Sequence, residues 1–254
     1  MTIWSEPRFL PCGDRALSVE LGDEITRAVN ARILALEYLI QQKRLGGVTE
    51  TVPSYRSLLV YYDPLTVGWD ELTRSLGALW REARPEVLPP ARTVEIPCCY
   101  GGDLGFELEA AAKTIGLPPG DVARLHAAAD YYVYFVGFTP GLPYMTGMPE
   151  RLHIPRLDQP RTKTPPGSVS IGGIQCCIYS VESPGGFWVL GRTPLRLYDP
   201  AAAEPSLLRA GDHVRFGMID RAEFATIAAA VAEGTYAPRI ERASHPFTEG
   251  EKVG

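Results

Sequence analysis

With 254 residues, 45% of them hydrophobic and 22% charged, the chain is long enough for one large domain or two smaller ones, each with a real core. A formal net charge of -5 gives no electrostatic reason to expect nucleic acid or an anionic membrane as partner, since both favour a basic face. The opening run Met1-Thr2-Ile3-Trp4-Ser5-Glu6-Pro7 is neither basic nor apolar, and no later stretch is long enough to cross a bilayer, so a cytoplasmic protein is expected.

In chain order, Arg15 to Leu21 alternates as a strand does, and Ile25, Val29, Ile33, Leu36 and Ile40 then recur at helical spacing up to Lys43. Gly46-Gly47 stops that helix. Val48–Val52 and Ser57–Tyr62 read as two strands, Asp63-Pro64 as a turn, and Trp69, Leu72, Leu76, Leu79 and Trp80 as one face of a second amphipathic helix. The order βαββα predicts a ferredoxin-like domain over 1–88, closed by a strand around Thr93–Cys98, with the proline-rich Arg84–Arg92 as linker. Two short helices follow, about Phe106–Ile115 and Pro119–Ala128, the second carrying His126. From Tyr131 to Phe216 short strands alternate with Gly/Pro turns, the pattern of an all-β barrel. Asp220 as N-cap, Glu223 three residues on and Gly234 past the end mark a last helix. The fold class is thus α+β, with a barrel domain over 89–242 and a polar tail over 243–254.

The five cysteines, Cys12, Cys98, Cys99, Cys176 and Cys177, lack the spaced pairs that grip zinc, and vicinal residues on a strand point to opposite faces. Reduced, buried thiols are expected, with no metal on this chain. No G-x-x-x-x-G-K-[ST], G-x-G-x-x-G, H-E-x-x-H or G-x-S-x-G segment occurs, which disfavours a phosphate-loop protein, a common metalloenzyme and a serine hydrolase.

The densest information lies between Tyr134 and Arg192: Gly137-Phe138-Thr139-Pro140-Gly141, Pro160-Arg161, Pro165-Pro166-Gly167-Ser168, Ser183-Pro184-Gly185-Gly186 and Gly191-Arg192-Thr193-Pro194. Glycine supplies positive φ and proline fixes φ, so these segments read as stiff, individually shaped loops. Barrel corners alone need glycine and proline, but they do not need the cations Arg156, Arg161, Lys163 and Arg192 that these loops carry.

These loops, together with Gly13-Asp14, Val52-Pro53-Ser54-Tyr55, Tyr100-Gly101-Gly102, the His126 region, Pro155-Arg156, Ile178-Tyr179 and Gly211-Asp212, make the chain similar to the allophanate hydrolase subunit 1 family over about Cys12 to Phe216. That family includes the 5-oxoprolinase B subunit, a sporulation-kinase inhibitor and half of the carboxyltransferase domain of urea carboxylase. The resemblance implies a cyclophilin-like β-barrel after the small domain. It also implies a partner, a subunit 2-like cyclophilin-fold protein, with a third lactam-utilisation subunit completing an ATP-dependent enzyme that opens 5-oxoproline to glutamate. Against the family pattern, Cys177 stands where a glycine is usual and Phe187 is inserted before Trp188.

Lactam opening of that kind develops negative charge on oxygen and phosphate, which calls for cations and oriented N–H donors. Arg161 and Arg192 are the first catalytic candidates, each able to grip a carboxylate or phosphate bidentately; an ordinary ion pair is the alternative. His126 is the third candidate, with a structural hydrogen bond as its alternative. For substrate binding the candidates are Tyr144, Arg156, Ser168, Gln175, Tyr179, Ser183, Gly185, Gly186 and Thr193. Pro166–Ser168 and Ser183–Gly186 are read as backbone anion nests or as plain turns, and Tyr144 and Tyr179 as rim hydroxyls or core rings. Phe138 and Leu142 are read as an apolar patch for a partner or as barrel core. Two other functions stay open, a histidine-kinase inhibitor and half of a biotin-dependent carboxyltransferase, and ATP is expected in the complex without a located site on this chain.

Overall fold

The computed structural model describes residues 3–242, which divide into two compact units, one within residues 1–91 and the other over 92–242. The polar tail expected over 243–254 lies outside the described residues.

The first unit runs β1 (Ile3–Pro11), β2 (Ala16–Gly22), α1 (Arg27–Lys43), β3 (Val48–Pro53), β4 (Ser57–Tyr62) and α2 (Trp69–Glu82). Its sheet has the order β1-β2-β4-β3, antiparallel throughout. Alternation puts Leu17, Val19 and Leu21 of β2 beside Leu58 and Val60 of β4 on one face. Ile33 and Leu36 of α1 and Leu72, Leu76 and Trp80 of α2 bury against that face in one core, at about 1.5–3 kcal/mol for each large side chain. Arg32 ties the helices together: its Nε and Nη2 donate to Ala83 O (2.9 Å) and Trp80 O (3.0 Å), carbonyls at the end of α2.

Closure of this sheet differs from the expected ferredoxin-like pattern. The edge beside β2 is filled by β1, a strand that precedes the first βα unit, and the segment around Thr93–Cys98 belongs to the second unit. The reason is local: β1 has no regular alternation, its residues being half-buried or exposed, because it covers an edge rather than a core face.

The second unit contains β5 (Arg92–Tyr100), α3 (Leu108–Ile115), α4 (Pro119–Ala127), β6 (Tyr131–Val136), β7 (Pro143–Thr146), β8 (Arg161–Thr164), β9 (Ser168–Gly172), β10 (Gln175–Ile178), β11 (Ser183–Gly185), β12 (Trp188–Arg192), β13 (His213–Met218), α5 (Arg221–Ala232) and β14 (Ile240–Arg242). Seven strands close into a barrel in the order β12-β9-β10-β7-β6-β13-β5, sealed where Gly191 and Arg192 of β12 pair with Tyr100 and Cys99 of β5. The β5–β13 pairing is parallel; the others are antiparallel. β14 pairs with the opening residues of β5, Arg92 to Val94, while the end of β5 goes to β12. Inward residues of every barrel strand, among them Ile96, Cys98, Val133, Met145, Val169, Ile171, Cys176, Leu190 and Val214, form one core with Leu108, Ala111 and Val122 of α3 and α4.

An ion pair fixes the entry to β5. Arg92 donates from Nε and Nη2 to the two oxygens of Asp212 (2.9 and 2.5 Å), and Arg209 N–H adds a third bond to the same carboxylate (2.9 Å). Asp212, with 1% exposure, is compatible with burial only because its charge is matched in this way.

Candidate functional site

β9 alternates Val169 and Ile171 into the core with Ser168 and Ser170 outwards, and the neighbouring β10 does the same with Cys176 and Cys177. Register then places Tyr144 (β7), Cys177 (β10), Ser170 (β9) and Val189 (β12) in one row across the outer wall. Ser168 and Arg192 fall in the next row. Leu142, Cys177, Tyr179 and Phe187 make a separate apolar cluster on this wall, with Tyr144 at its margin. Both departures from the family pattern, Cys177 and Phe187, therefore lie in the same cluster.

A ribbon of β8 and β11 lies beside this cluster, with Ser183 opposite Thr164 and Gly185 opposite Arg161. Gly185 permits the approach: a Cβ there would lie 1.8 Å from the Tyr179 hydroxyl oxygen. Burial pushes Tyr179 up to about 12, in spite of hydrogen bonds from Phe187 and Thr164, and pushes the Cys177 thiol up as well. Neither is a nucleophile at neutral pH.

Arg161 takes a structural place. Its Nη1 donates to Glu107 Oε1 and its Nη2 to Phe187 O, each at 2.5 Å, while Glu107 Oε2 accepts from Val189 N–H at 2.7 Å. The guanidinium thus pins the segment before α3 to the ribbon and β12, the ion pair that stood as the alternative to an anion-binding arginine at this position. Lys163 pairs with Glu182 at the surface (3.0 Å). Arg156 has no carboxylate partner among the described residues: it lies over the Phe187 ring (4.8 Å) and donates to Gln175 Oε1 (2.9 Å). Tyr144 is half-buried and stacked on Phe135 at 4.6 Å.

In the two segments read as anion nests or plain turns, backbone pairing takes up N–H groups. Gly167 and Ser168 spend their N–H groups on Tyr179 O (2.6 Å) and Pro165 O (3.3 Å), and Ser183–Gly185 is strand. Gly186 O accepts from Leu157 N–H at 2.8 Å, helping to anchor the loop that carries Arg156.

His126 likewise makes the structural hydrogen bonds that stood as the alternative to a catalytic role. It is fully buried in the barrel, with Nδ1 2.8 Å from the Tyr100 hydroxyl and Nε2 3.4 Å from Cys176 Sγ, and desolvation lowers its pKa to about 3. A neutral imidazole at 0% exposure suits a structural hydrogen-bonding group.

Several of the Gly/Pro loops meet at one end of the barrel. Ser180 Oγ donates to Pro140 O (2.5 Å), Thr193 N–H to Gly167 O (2.9 Å), and Gly141 packs against Tyr198. With α5 these loops border an open cavity of about 580 Å³ lined by Gly167, Ser180, Arg192, Thr193, Tyr198 and Phe224, among others. Of the expected patch, Leu142 is buried in the wall cluster, whereas Phe138 stands exposed at this end with φ of 66°, a conformation rare for a bulky residue. The sequence missed Glu107, whose charge partner is 54 residues away, and no local signal marks it. Among the described residues no three His, Cys, Asp or Glu gather to hold a metal, and no helix is long and apolar enough to cross a membrane.

A closed barrel walled in this way belongs to the class described as carboxyltransferase domain, subdomain C and D, whose family model matches residues 7–208. Within that class the chain is a member of the family that unites allophanate hydrolase subunit 1 with the 5-oxoprolinase B subunit. It is 36% identical over 222 residues to the 5-oxoprolinase B subunit of Bacillus subtilis (84% of this chain, 92% of that one) and 40% identical over 205 residues to that of Escherichia coli O157:H7 (80% and 92%). Among solved structures it is similar to TTHA0988, with a TM-score of 0.73 and 35% identity over 81% of this chain. The match spans 40% of the length of TTHA0988.

Proposed function

We propose that the chain is the B-type subunit of a cytoplasmic, ATP-dependent 5-oxoprolinase, acting with a subunit 2-like protein and a third lactam-utilisation subunit to hydrolyse 5-oxo-L-proline to L-glutamate. The observation that carries this reading is the 36% and 40% identity to two proteins of that name over 92% of each. In the overall reaction the ring C–N bond breaks and water supplies the oxygen of the new carboxylate. The chain's own groups suit positioning rather than chemistry on that bond: its wall thiol and phenol are held protonated by burial, and His126 is buried in the core. Its free cationic groups suit an acid.

The cavity is poorly furnished for ATP. A triphosphate needs several cations, but Arg192 is joined there by Arg196, which is bound to Asp199 (3.1 Å), and by the carboxylate Glu182. This lining supports a reading in which another subunit of the complex binds ATP.

Reconstitution tests the reading. Mixed with the two partner subunits, the chain should support 5-oxoproline-stimulated ATP hydrolysis and glutamate release, and each omission should abolish both. Absence of stimulation in the complete mixture overturns it. The family model's description as a carboxyltransferase domain favours one second reading, half of a biotin-dependent carboxyltransferase. That reading predicts a biotinylated protein copurifying with the chain, and its absence removes the reading.

A further inference from the structure

We infer that Arg192 and Ser168 form a binding site for the oxyanion of a small ligand, a carboxylate or a phosphate, at the loop-bearing end of the barrel. The two residues are direct cross-strand partners of β12 and β9, so their side chains leave the sheet on the same face. Arg192 Nε and Ser168 Oγ are both shut off from solvent and bond nothing among the described residues, and the next outward hydroxyl, Ser170 Oγ, is in the same state. Orphaned polar atoms are uncommon in folded proteins, and a group of them on one patch of sheet calls for a missing partner. A guanidinium supplies only donors, so that partner is an acceptor.

Charge narrows it further. No carboxylate is bonded to Arg192 among the described residues. Asp103, which acts on it through space, is held by Arg221 through both terminal guanidinium nitrogens, Nη2 at 2.7 Å. Arg192 therefore meets the cavity as an unmatched, half-buried cation. Gly167 lets the two loops that carry these residues pack together: its φ is +81°, a Cβ would lie 2.4 Å from Thr193 O, and its own carbonyl accepts from Thr193 N–H at 2.9 Å. Small acids and phosphates both present the oxygens that a planar guanidinium edge and a hydroxyl bind. The inference deepens the function proposed above, for which the oxyanion is the carboxylate of the lactam.

The test titrates the full chain by calorimetry with 5-oxo-L-proline and, separately, with inorganic phosphate. One probe is expected to bind, and its identity gives the source of the oxyanion. Arg192→Gln should weaken it about tenfold or more, and Ser168→Ala about three- to tenfold. Ser168→Ala should not lower the unfolding midpoint, because it removes an unpaired buried hydroxyl; should Arg192→Gln fail to fold, this variant carries the test alone. Binding of neither probe, or binding unchanged in the folded variants, overturns the site. The two proposals separate cleanly in the reconstituted complex. Stimulated ATP hydrolysis unchanged by Arg192→Gln leaves the function and removes the site, whereas a wild-type complex without stimulation, built from a chain that binds phosphate through Arg192, does the reverse.

Discussion

Glu37 on α1 shows how a single residue couples charge to stability. Burial raises its pKa to about 7 from 4.5, although Thr51 Oγ1 donates to the carboxylate at 2.9 Å. Because the folded value lies above the unfolded one, the folded state binds the proton more tightly; the stabilisation is complete below pH 4.5 and is lost as pH rises through 7. Glu37→Gln keeps the acceptor for Thr51 and removes the charge. The variant should therefore gain on the wild type as pH rises from 5 to 8, by at most about 3 kcal/mol in urea unfolding. A difference that does not change with pH refutes the assignment. Arg161 makes the opposite point, since Arg161→Ala would leave Glu107 largely buried without its cation and should cost about 3 kcal/mol or more in the same measurement. The sequence marked both Arg161 and Arg192 by residue type and loop setting. What separates their roles is whether a carboxylate from a distant segment reaches them, and nothing near either residue encodes that.

Elements were legible in proportion to how local their signals are. α5 is the clearest case: the Asp220 side chain accepts from Glu223 N–H (2.8 Å) and Glu223 returns a bond to Asp220 N–H (3.1 Å), the capping box that the spacing predicts. β1 was not legible, because an edge strand half in water has no alternation to read, and the parallel pairing of β5 with β13 joins segments more than a hundred residues apart. The same logic makes α5 testable. None of its residues is fully buried, so its cap matters more than it would in a helix held by core packing. Asp220→Ala should cost about 1 kcal/mol and loosen the cavity wall that Phe224 and Val231 provide, seen as faster amide exchange along α5. Exchange equal to wild type would show that the loops, not the cap, hold the helix. Gly185→Ala tests the ribbon: with 1.8 Å between the new methyl and the Tyr179 oxygen, the β8–β11 pair must shift, and a melting temperature equal to wild type would contradict that close approach.

At the scale of the molecule, each unit has its own closed core, one built on the four-stranded sheet and one inside the barrel. The composition, the run of short strands and the linker prolines suggested that division, but not the place where the barrel seals itself. Sealing depends on β5, which serves β13 on one side and divides the other between β14 and β12. A fragment of residues 89–242 keeps all three partners together with the Arg92–Asp212 pair, and should unfold in one cooperative transition with the far-ultraviolet spectrum of a β-rich protein. Ending the fragment at Gly234 removes β14, the bond from Glu95 N–H to Arg239 O (3.0 Å) and the Arg239–Glu95 pair (3.2 Å). The opening residues of β5 then present an unpaired edge, which invites association. The shorter fragment should melt lower and elute as larger species, while the longer one stays monomeric. Equal behaviour of the two would mean that β14 is an ornament of the barrel rather than the cover of the opening residues of β5. Asp212→Ala in the longer fragment then reads the other fastening of β5, at an expected cost of about 3–5 kcal/mol, because Arg92 would be left as a buried charge with only the Leu207 carbonyl to bind.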